Sequence, residues 1–439
     1  MPSSTARKAY RKWITARFLS RIPLLPGRFR QKMKKREMRY FDGRHYAYFT
    51  RTFNGQAPHT RSISSKKCIF IDVTNCCTDV RIHGFSRVVN KIVGELLKLD
   101  MANFSIEPVK YDRFCENWRY ATTFKSRLLL VKENDDELII TFQKGDVFLG
   151  LDWNVGLFDG RNNQLKSLKK SGVTIAFVIY DIIPIYRSHL YVSGFAESFS
   201  RWAYGVAEIA DTLICISNSV ATEVDIWLGE SKLVSRHGPK LKYFHLGSDI
   251  VNNNLYLDKK PRFTLKYKYN FLMVGTVEPR KGYRQALDAF HILWQQDLDL
   301  GLTIVGRKGW LVDDLVRDLQ EEESKDGRLL WLRDGQDAEL TFLYQRSSAL
   351  LAASEAEGFG LPLMEAARHS LPIIARDIPV FREILGDGAF FFSAREPQQL
   401  ASKIQQWLTL SAHGKLPAAR LIVTKSWHDS AVELMSLLG

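Results

Sequence analysis

Residues 355–365 read Glu-Ala-Glu-Gly-Phe-Gly-Leu-Pro-Leu-Met-Glu, directly after the apolar run ALLAAS (349–354). Two carboxylates, Glu357 and Glu365, bracket a glycine-bearing turn that opens a helix. Pro362 suits the first helical turn, where its missing N–H costs nothing. Gly358 and Gly360 let backbone approach a ligand without an intervening Cβ. The helix start at Leu361 offers unpaired N–H groups and a partial positive charge to an anion. Glu357 falls on the turn and Glu365 about one turn inside the helix, so both can line one ligand at its two ends. Two isolated glutamates would be read as solvated surface groups. The Gly-Phe-Gly-Leu-Pro turn at a strand end turns the same pair into a candidate site.

A second group lies in GTVEPRKG (275–282). A strand ends at Gly275, and a helix is expected from about Lys281. Arg280 and Lys281 are placed to pair with a diphosphate through charge-assisted hydrogen bonds. Earlier in the chain, Asp72-Val73-Thr74 ends one strand and Gly84-Phe85-Ser86-Arg87 opens the next helix. Strand, glycine and helix alone are weak evidence of a phosphate contact. VIYDIIPIY (178–186) places Asp181 at another strand end, where a structural hydrogen bond and a role at a ligand are both open. No pair of histidines has the helical spacing that zinc sites use.

These groups need a frame that brings strand ends together. From residue 68, short β-rich runs alternate with helix-length segments: CIFIDVT (68–74), DVFLGLD (146–152), TIAFVIYD (174–181) and TLICIS (212–217), with helices expected at 86–98 and 194–210. Continuous apolar strands separated by helices imply a parallel sheet covered on both faces. The rhythm breaks at 250–264, which is polar and contains Pro261. It resumes with FLMVG (271–275), LTIVG (302–306), ALLAAS, PIIAR (372–376) and AFFFS (389–393), with helices at 281–296 and 361–369. The expected organisation is a basic extension (1–67), a first doubly wound domain (68–250), a linker (251–265), a second doubly wound domain (266–410) and terminal helices returning to the first (411–439). Ligands bind at the carboxyl ends of such strands, and clefts between domains are favoured pockets.

Charge is unevenly spread. Residues 1–67 carry 18 Lys/Arg against 2 Asp/Glu, whereas the other 372 carry 44 against 46. A near-neutral body argues against a nucleic-acid binder. The basic arm suits an acidic surface. Tyr10, Trp13, Ile14 and Phe18 recur at helical spacing among lysines and arginines, the composition of an interfacial helix, and KMKKR (32–36) adds a second cluster. Arg17 and Arg21 fall on the apolar arc, where their stems can snorkel. Residues 1–60 are therefore expected on an anionic membrane surface, with a partner protein or an arm docked on the body as the other readings. No apolar run reaches the roughly 18 residues of a span, and the arm lacks the apolar core of a secretory signal. Five cysteines (Cys68, Cys76, Cys77, Cys115, Cys215) show no metal spacing, and their odd number suits reduced thiols in the cytosol.

Residues 337–392, with the Glu357–Glu365 pair at their centre, resemble the donor domain of glycosyltransferase family 4, retaining enzymes of the GT-B fold, and the likeness extends over about 68–439. The resemblance implies that Glu357 faces the donor sugar, that Glu365 binds the nucleotide ribose hydroxyls, and that Gly358, Phe359, Gly360 and Leu361 form the donor turn. Lys281 matches the family lysine. Thr276 follows Gly275 where the family often has arginine, and Arg280 stands in for that cation on the donor diphosphate. Gly84 matches the glycine-bearing loop that abuts the phosphate from the opposite domain. Many members carry His-Asp after the strand at 174–179; this chain has Tyr180-Asp181, so only Asp181 is carried over as a catalytic group beside Glu357. Ser370 replaces the usual glycine after the donor helix, so a local adjustment is expected there.

The implied reaction moves a hexose from a GDP-, UDP- or dTDP-sugar to a hydroxyl acceptor with retention, and neither a cofactor nor a metal is expected. The stretch GTVEPRK is similar to mannosyltransferases of bacterial surface polysaccharide and O-antigen lipopolysaccharide assembly, which suggests GDP-mannose and a glycan or lipid-linked glycan acceptor. The expected place is the cytoplasm, peripheral at the inner face of the membrane. A catalytically silent GT-B scaffold, and a GT-B phosphorylase or epimerase, remain as alternatives. Nucleic acid is not an expected partner.

Overall fold

The computed structural model describes residues 66–78, 84–100, 103–112, 117–131, 138–158, 164–231, 238–250 and 262–438. The basic arm and most of the expected linker lie outside them. The chain divides into two units. In the smaller one (1–64, 109–122 and 133–141), the described residues form an antiparallel pairing. There Val109–Asp112, the end of β2 (Phe104–Asp112), pairs with β3 (Asn117–Tyr120), and Arg119 reaches Asp112 at 3.1 Å.

The larger unit holds two mostly parallel sheets. The first contains β1 (Lys67–Asp72), β4 (Val147–Gly150), β5 (Thr174–Ile179), β6 (Thr212–Cys215) and β7 (Lys240–Tyr243), in the order β2-β1-β4-β5-β6-β7. From β1 to β7 every neighbouring pair is parallel. The second contains β8 (Tyr269–Val274), β9 (Leu300–Val305), β10 (Leu329–Leu332), β11 (Ala349–Ala352), β12 (Ile373–Arg376) and β13 (Phe390–Phe392), in the order β10-β9-β8-β11-β12-β13, parallel throughout. Both orders step outward from a first strand in two directions. That creates a switch point where loops diverge and a ligand can enter.

Seven helices bear on the site: α1 (Gly84–Leu96), α2 (Phe195–Ile209), α3 (Asn218–Glu230), α4 (Tyr283–Gln295), α5 (Leu361–Arg368), α6 (Pro379–Leu385) and α7 (Trp427–Ser436). Each buries one stripe. In α4 it is Ala286, Leu287, Phe290, Leu293 and Trp294, the three-and-four spacing of one helix face. Phe290 meets Phe271 of β8 edge-on at 5.4 Å, and Phe271 meets Trp407 at the same separation. The terminal helix α7 is opened by a capping box in which the Ser426 hydroxyl accepts from Asp429 N and the Asp429 carboxylate accepts from Ser426. It packs against α1, and its buried Trp427 donates from backbone and indole to Asp249. Among the described residues no helix is long and apolar enough to cross a membrane.

Helix α5 stops at His369, and Ser370 then turns the chain with φ 54°. Left-handed backbone strains a residue that carries Cβ, so the adjustment at Ser370 is a strained turn. Ser370→Gly is expected to raise stability by about 1 kcal/mol, read as a higher urea midpoint at unchanged slope. A lower midpoint would mean the serine is favoured there by something other than its backbone angle.

Candidate active site

The turn after β11 is shaped by contacts that only glycine allows. A Cβ on Gly358 would lie 1.9 Å from the Tyr180 carbonyl oxygen and 3.3 Å from Asp181 Cβ, so the end of β5 and the turn meet backbone to backbone. The Ser217 hydroxyl, after β6, donates to the Gly358 carbonyl at 2.8 Å. Gly360 precedes α5 with φ 110°, and Leu361 and Pro362 form the first turn. Gly282 (φ 71°) closes the 3-10 turn Pro279–Lys281; a Cβ there would sit 2.3 Å from the Ala353 carbonyl. The loops 275–282 and 354–361 are thereby locked side by side.

That locking brings Glu357, Arg280 and Lys281 together. One oxygen of Glu357 accepts from Arg280 Nη1 at 2.7 Å; the other accepts from Lys281 Nζ and, at 2.8 Å, from the Ser354 hydroxyl. Arg280 also donates to the Ala356 carbonyl at 2.9 Å and pairs with buried Glu278 at 2.7 Å. Burial opposes ionisation of Glu357, but Arg280 and Lys281 outweigh it and hold its carboxyl down to about 2. Burial raises Glu278, against the pull of the same two cations. The two cations therefore rest on the carboxylates beside them, and an arriving diphosphate would compete with Glu357 for both.

Glu365 sits on the buried face of α5. Its two oxygens are held by Arg87 Nη1 at 2.8 Å and by the Tyr344 hydroxyl at 2.7 Å. Burial raises its pKa, and Arg87 and Tyr344 offset part of that rise. Arg87 belongs to α1 of the first sheet and Tyr344 stacks on His369, with ring centroids 5.6 Å apart. Both glutamates are thus buried carboxyl groups with dedicated cationic or hydroxyl partners.

Asp181 follows β5 next to the Gly358 approach. Burial raises its pKa and Arg280 counters this; its carboxylate accepts from Ile183 N at 3.0 Å. Tyr180 is turned away, its hydroxyl donating to the Leu151 carbonyl at 3.0 Å. Asp181, Glu357, Arg280 and Lys281 therefore form one electrostatic group.

The remaining expected residues are less tightly joined. Thr276 lies between Gly275 (φ 138°) and the Val277↔Lys308 bridge, beside Gly309. Gly84 begins α1 in the open, where an added Cβ meets nothing within 4 Å. Phe359 lies between the two glycines of the turn. Its buried ring faces His245, centroids 5.6 Å apart, and lines a separate cavity of about 360 Å³ with Met364 and Glu383. Glu383 of α6 braces this flank: its carboxylate accepts from Asn218 N and Ser219 N at the start of α3, at 2.8 and 2.7 Å, and meets His245 Nε2 at 2.7 Å. Burial works against that anion, yet these hydrogen bonds hold it down to about 2. Among the described residues no group of three or more His, Cys, Asp or Glu is assembled for a metal ion.

Sequence reasoning did not single out Arg87, Tyr344, Ser217, Ser354 or Glu278. Arg87 stood in the quoted Gly84–Arg87 stretch, three residues into an expected helix, and its cationic side chain near a strand end was the available signal. Tyr344 and Ser217 reach the site from distant sequence and left none.

Residues 258–420 match the family described as "Glycosyl transferases group 1". The serotype-specific mannosyltransferase WbdA of Escherichia coli is 36% identical over 387 residues, which is 87% of this chain and 46% of the relative. The O-antigen chain mannosyltransferase RfbU of Salmonella typhimurium is 32% identical over 157 residues, 35% of this chain and 41% of the relative. The chain spans about half the length of these curated relatives. Among solved structures, Anabaena HepE in complex with UDP and glucose superposes with a TM-score of 0.54 at 14% identity, covering 85% of this chain and 95% of that one. Sucrose-phosphate synthase from Thermosynechococcus elongatus gives 0.53 at 14% identity, covering 85% and 98%. The two-sheet architecture is the GT-B fold.

Proposed function

We propose that this chain, whose residues 258–420 match the group 1 glycosyl transferases, is a retaining hexosyltransferase that moves mannose from GDP-mannose to a growing, lipid-linked surface glycan. The observation that carries the reading is the pair of buried glutamates around the start of α5, one joined to Arg280 and Lys281 and the other to Arg87 and Tyr344. The mannosyltransferase names of WbdA and RfbU support the choice of sugar and of a polysaccharide product.

The chemistry follows from charge. As the C1–oxygen bond to the diphosphate breaks, negative charge grows on the phosphate and positive charge on the sugar. Arg280, Lys281 and the N–H groups at the start of α5 are preorganised to take the first. A diphosphate that draws the two cations frees Glu357 to accept hydrogen bonds from sugar hydroxyls, while Glu365 serves the ribose. The acceptor oxygen bonds to C1 on the face the phosphate leaves, and its proton passes to the departing phosphate. This side-chain set supplies the countercharge, so transfer is expected to proceed in excess chelator.

The test is incubation with GDP-mannose, UDP-glucose and dTDP-rhamnose, each with a mannan acceptor and EDTA, and assignment of the product anomer by NMR. Transfer from GDP-mannose with retained configuration supports the reading. Inversion, transfer only with added metal, or product that requires orthophosphate would overturn it. The arm 1–60 is proposed to hold the enzyme on anionic lipid at the inner leaflet, each basic residue near the surface contributing about 1 kcal/mol. Deletion of 1–60 should move the protein out of the vesicle fraction in flotation on phosphatidylglycerol liposomes; continued flotation would refute that role.

A further inference from the structure

We infer that the Tyr191 hydroxyl is a catalytic-site group that touches the transferred sugar, and that Trp310 positions it. The inference rests on the glycosyl-transfer reading above.

Residues 187–195 run from the end of β5 toward α2, on the first-sheet side. Three contacts tie them to the loops that carry the donor-side charges. Arg187 approaches Glu355 at 3.7 Å, the Leu190 carbonyl accepts from Trp310 Nε1 at 2.8 Å, and the Tyr191 ring lies on the Trp310 ring with centroids 5.7 Å apart and planes 24° apart. On its own side Tyr191 stacks on Phe195 at 5.1 Å and 11°. A ring held by two aromatic neighbours has little freedom, and each such pair contributes about 0.5–1.5 kcal/mol beyond area burial.

The hydroxyl of this clamped ring has no hydrogen-bond partner among the described residues, and it is not sealed in the interior. Its electrostatic neighbours are Asp181, Arg280, Glu278 and Glu357, the charged groups of the site. Burial, with the nearby carboxylates, raises the phenol pKa, so it stays protonated at neutral pH and can donate. Tyr180, next to Asp181, cannot serve in its place, because its hydroxyl is committed to Leu151. A donor fixed by the Trp310 and Phe195 stacks, on a segment tied to the donor-side loops and with its hydrogen bond unspent, is the group a sugar hydroxyl would meet there. The Trp310 stack makes the placement of that donor depend on both sheets at once.

Tyr191→Phe removes the hydroxyl and keeps the stack. Wild type is first screened by melting shift with GDP, UDP and dTDP, and the nucleotide that binds is compared with its sugar conjugate. In Tyr191→Phe, the shift from the bare nucleoside diphosphate should match wild type. The extra affinity of the sugar conjugate should be lost, and kcat should fall about 100-fold with the acceptor KM unchanged. Trp310→Leu should show the same kcat-weighted loss, largely restored in Trp310→Phe. Wild-type kcat and donor KM in Tyr191→Phe, or a change confined to the acceptor KM, would overturn the assignment. A wild-type chain that answers to no nucleotide would instead overturn the glycosyl-transfer reading, and this inference with it.

Discussion

Glu357→Gln is expected to lower kcat by about 10²–10³-fold, the size of effect seen when one fixed electrostatic contact to a reacting group is lost. In this fold Glu357 has two duties. It neutralises Arg280 and Lys281 within a buried cluster, and in the proposed reaction it is the carboxylate that receives the sugar hydroxyls. Glutamine keeps the shape and the Ser354 contact but removes the charge that balances two cations. Breaking a buried ion pair from one side costs about 3–5 kcal/mol, so the variant should also be less stable. The two effects separate by pH. The folded carboxyl titrates at about 2, below its ordinary 4.5. Its stabilising contribution is therefore complete above pH 4.5 and is lost as pH falls toward 2. The stability gap between wild type and Glu357→Gln, from urea midpoints, should be full at pH 7 and shrink below pH 4.5. Kinetics at pH 7, where both proteins are folded, then report the chemistry alone. Near-wild-type kcat there would remove Glu357 from the reaction.

Gly358→Ala should damage both stability and rate, because the added methyl group falls where β5 and the 354–361 turn meet. Its Cβ would stand 1.9 Å from a backbone carbonyl, and backbone cannot swing aside as a side chain can. Relief requires the end of β5 to draw away from the 354–361 turn. That motion would break the Ser217–Gly358 hydrogen bond and carry Asp181 from Glu357. Overpacking of this kind costs about 1–3 kcal/mol, and a displacement of about 1 Å at reacting groups costs about 10²-fold in rate. Gly229→Ala in α3 is the control, since its Cβ meets nothing within 4 Å and its stability should change by no more than about 1 kcal/mol. Unfolding midpoints and kcat for the two variants test the claim. If they behave alike, the close approach at Gly358 is not a constraint on the enzyme.

The strands that could be read from sequence were those buried on both faces. CIFID, TIAFVI, NFLMV and LGLTIV are apolar almost without interruption, as parallel central strands must be. Those that escaped have physical reasons to. β2 carries Pro108, Glu107 and Lys110, and proline demotes a run that otherwise alternates. β7 is Lys-Leu-Lys-Tyr at the edge of its sheet, where charge is the rule. β10 is four residues long and lies between charged stretches. At the site, the local turn was readable because glycine, proline and glutamate act through nearby backbone. Its long-range partners were not: Arg87 on α1 and Glu365 on α5 are joined by an ion pair between residues far apart in sequence, and no spacing encodes that contact. Phe359 lies inside the motif, and its ring faces His245, a contact that the local spacing does not encode.

The most direct measurement is the melting shift of wild type and Glu365→Ala against GDP, UDP and dTDP, side by side. A nucleotide at 100 times its dissociation constant should stabilise the wild type by about 2.7 kcal/mol. Glu365→Ala, with Arg87 and Tyr344 left facing an empty position, should need a nucleotide concentration at least about 10-fold higher for the same gain, corresponding to the loss of one charged hydrogen bond. GDP should be the strongest of the three. If no nucleotide shifts the wild type, or if Glu365→Ala binds as tightly as wild type, the cleft around α5 is not the donor site described above.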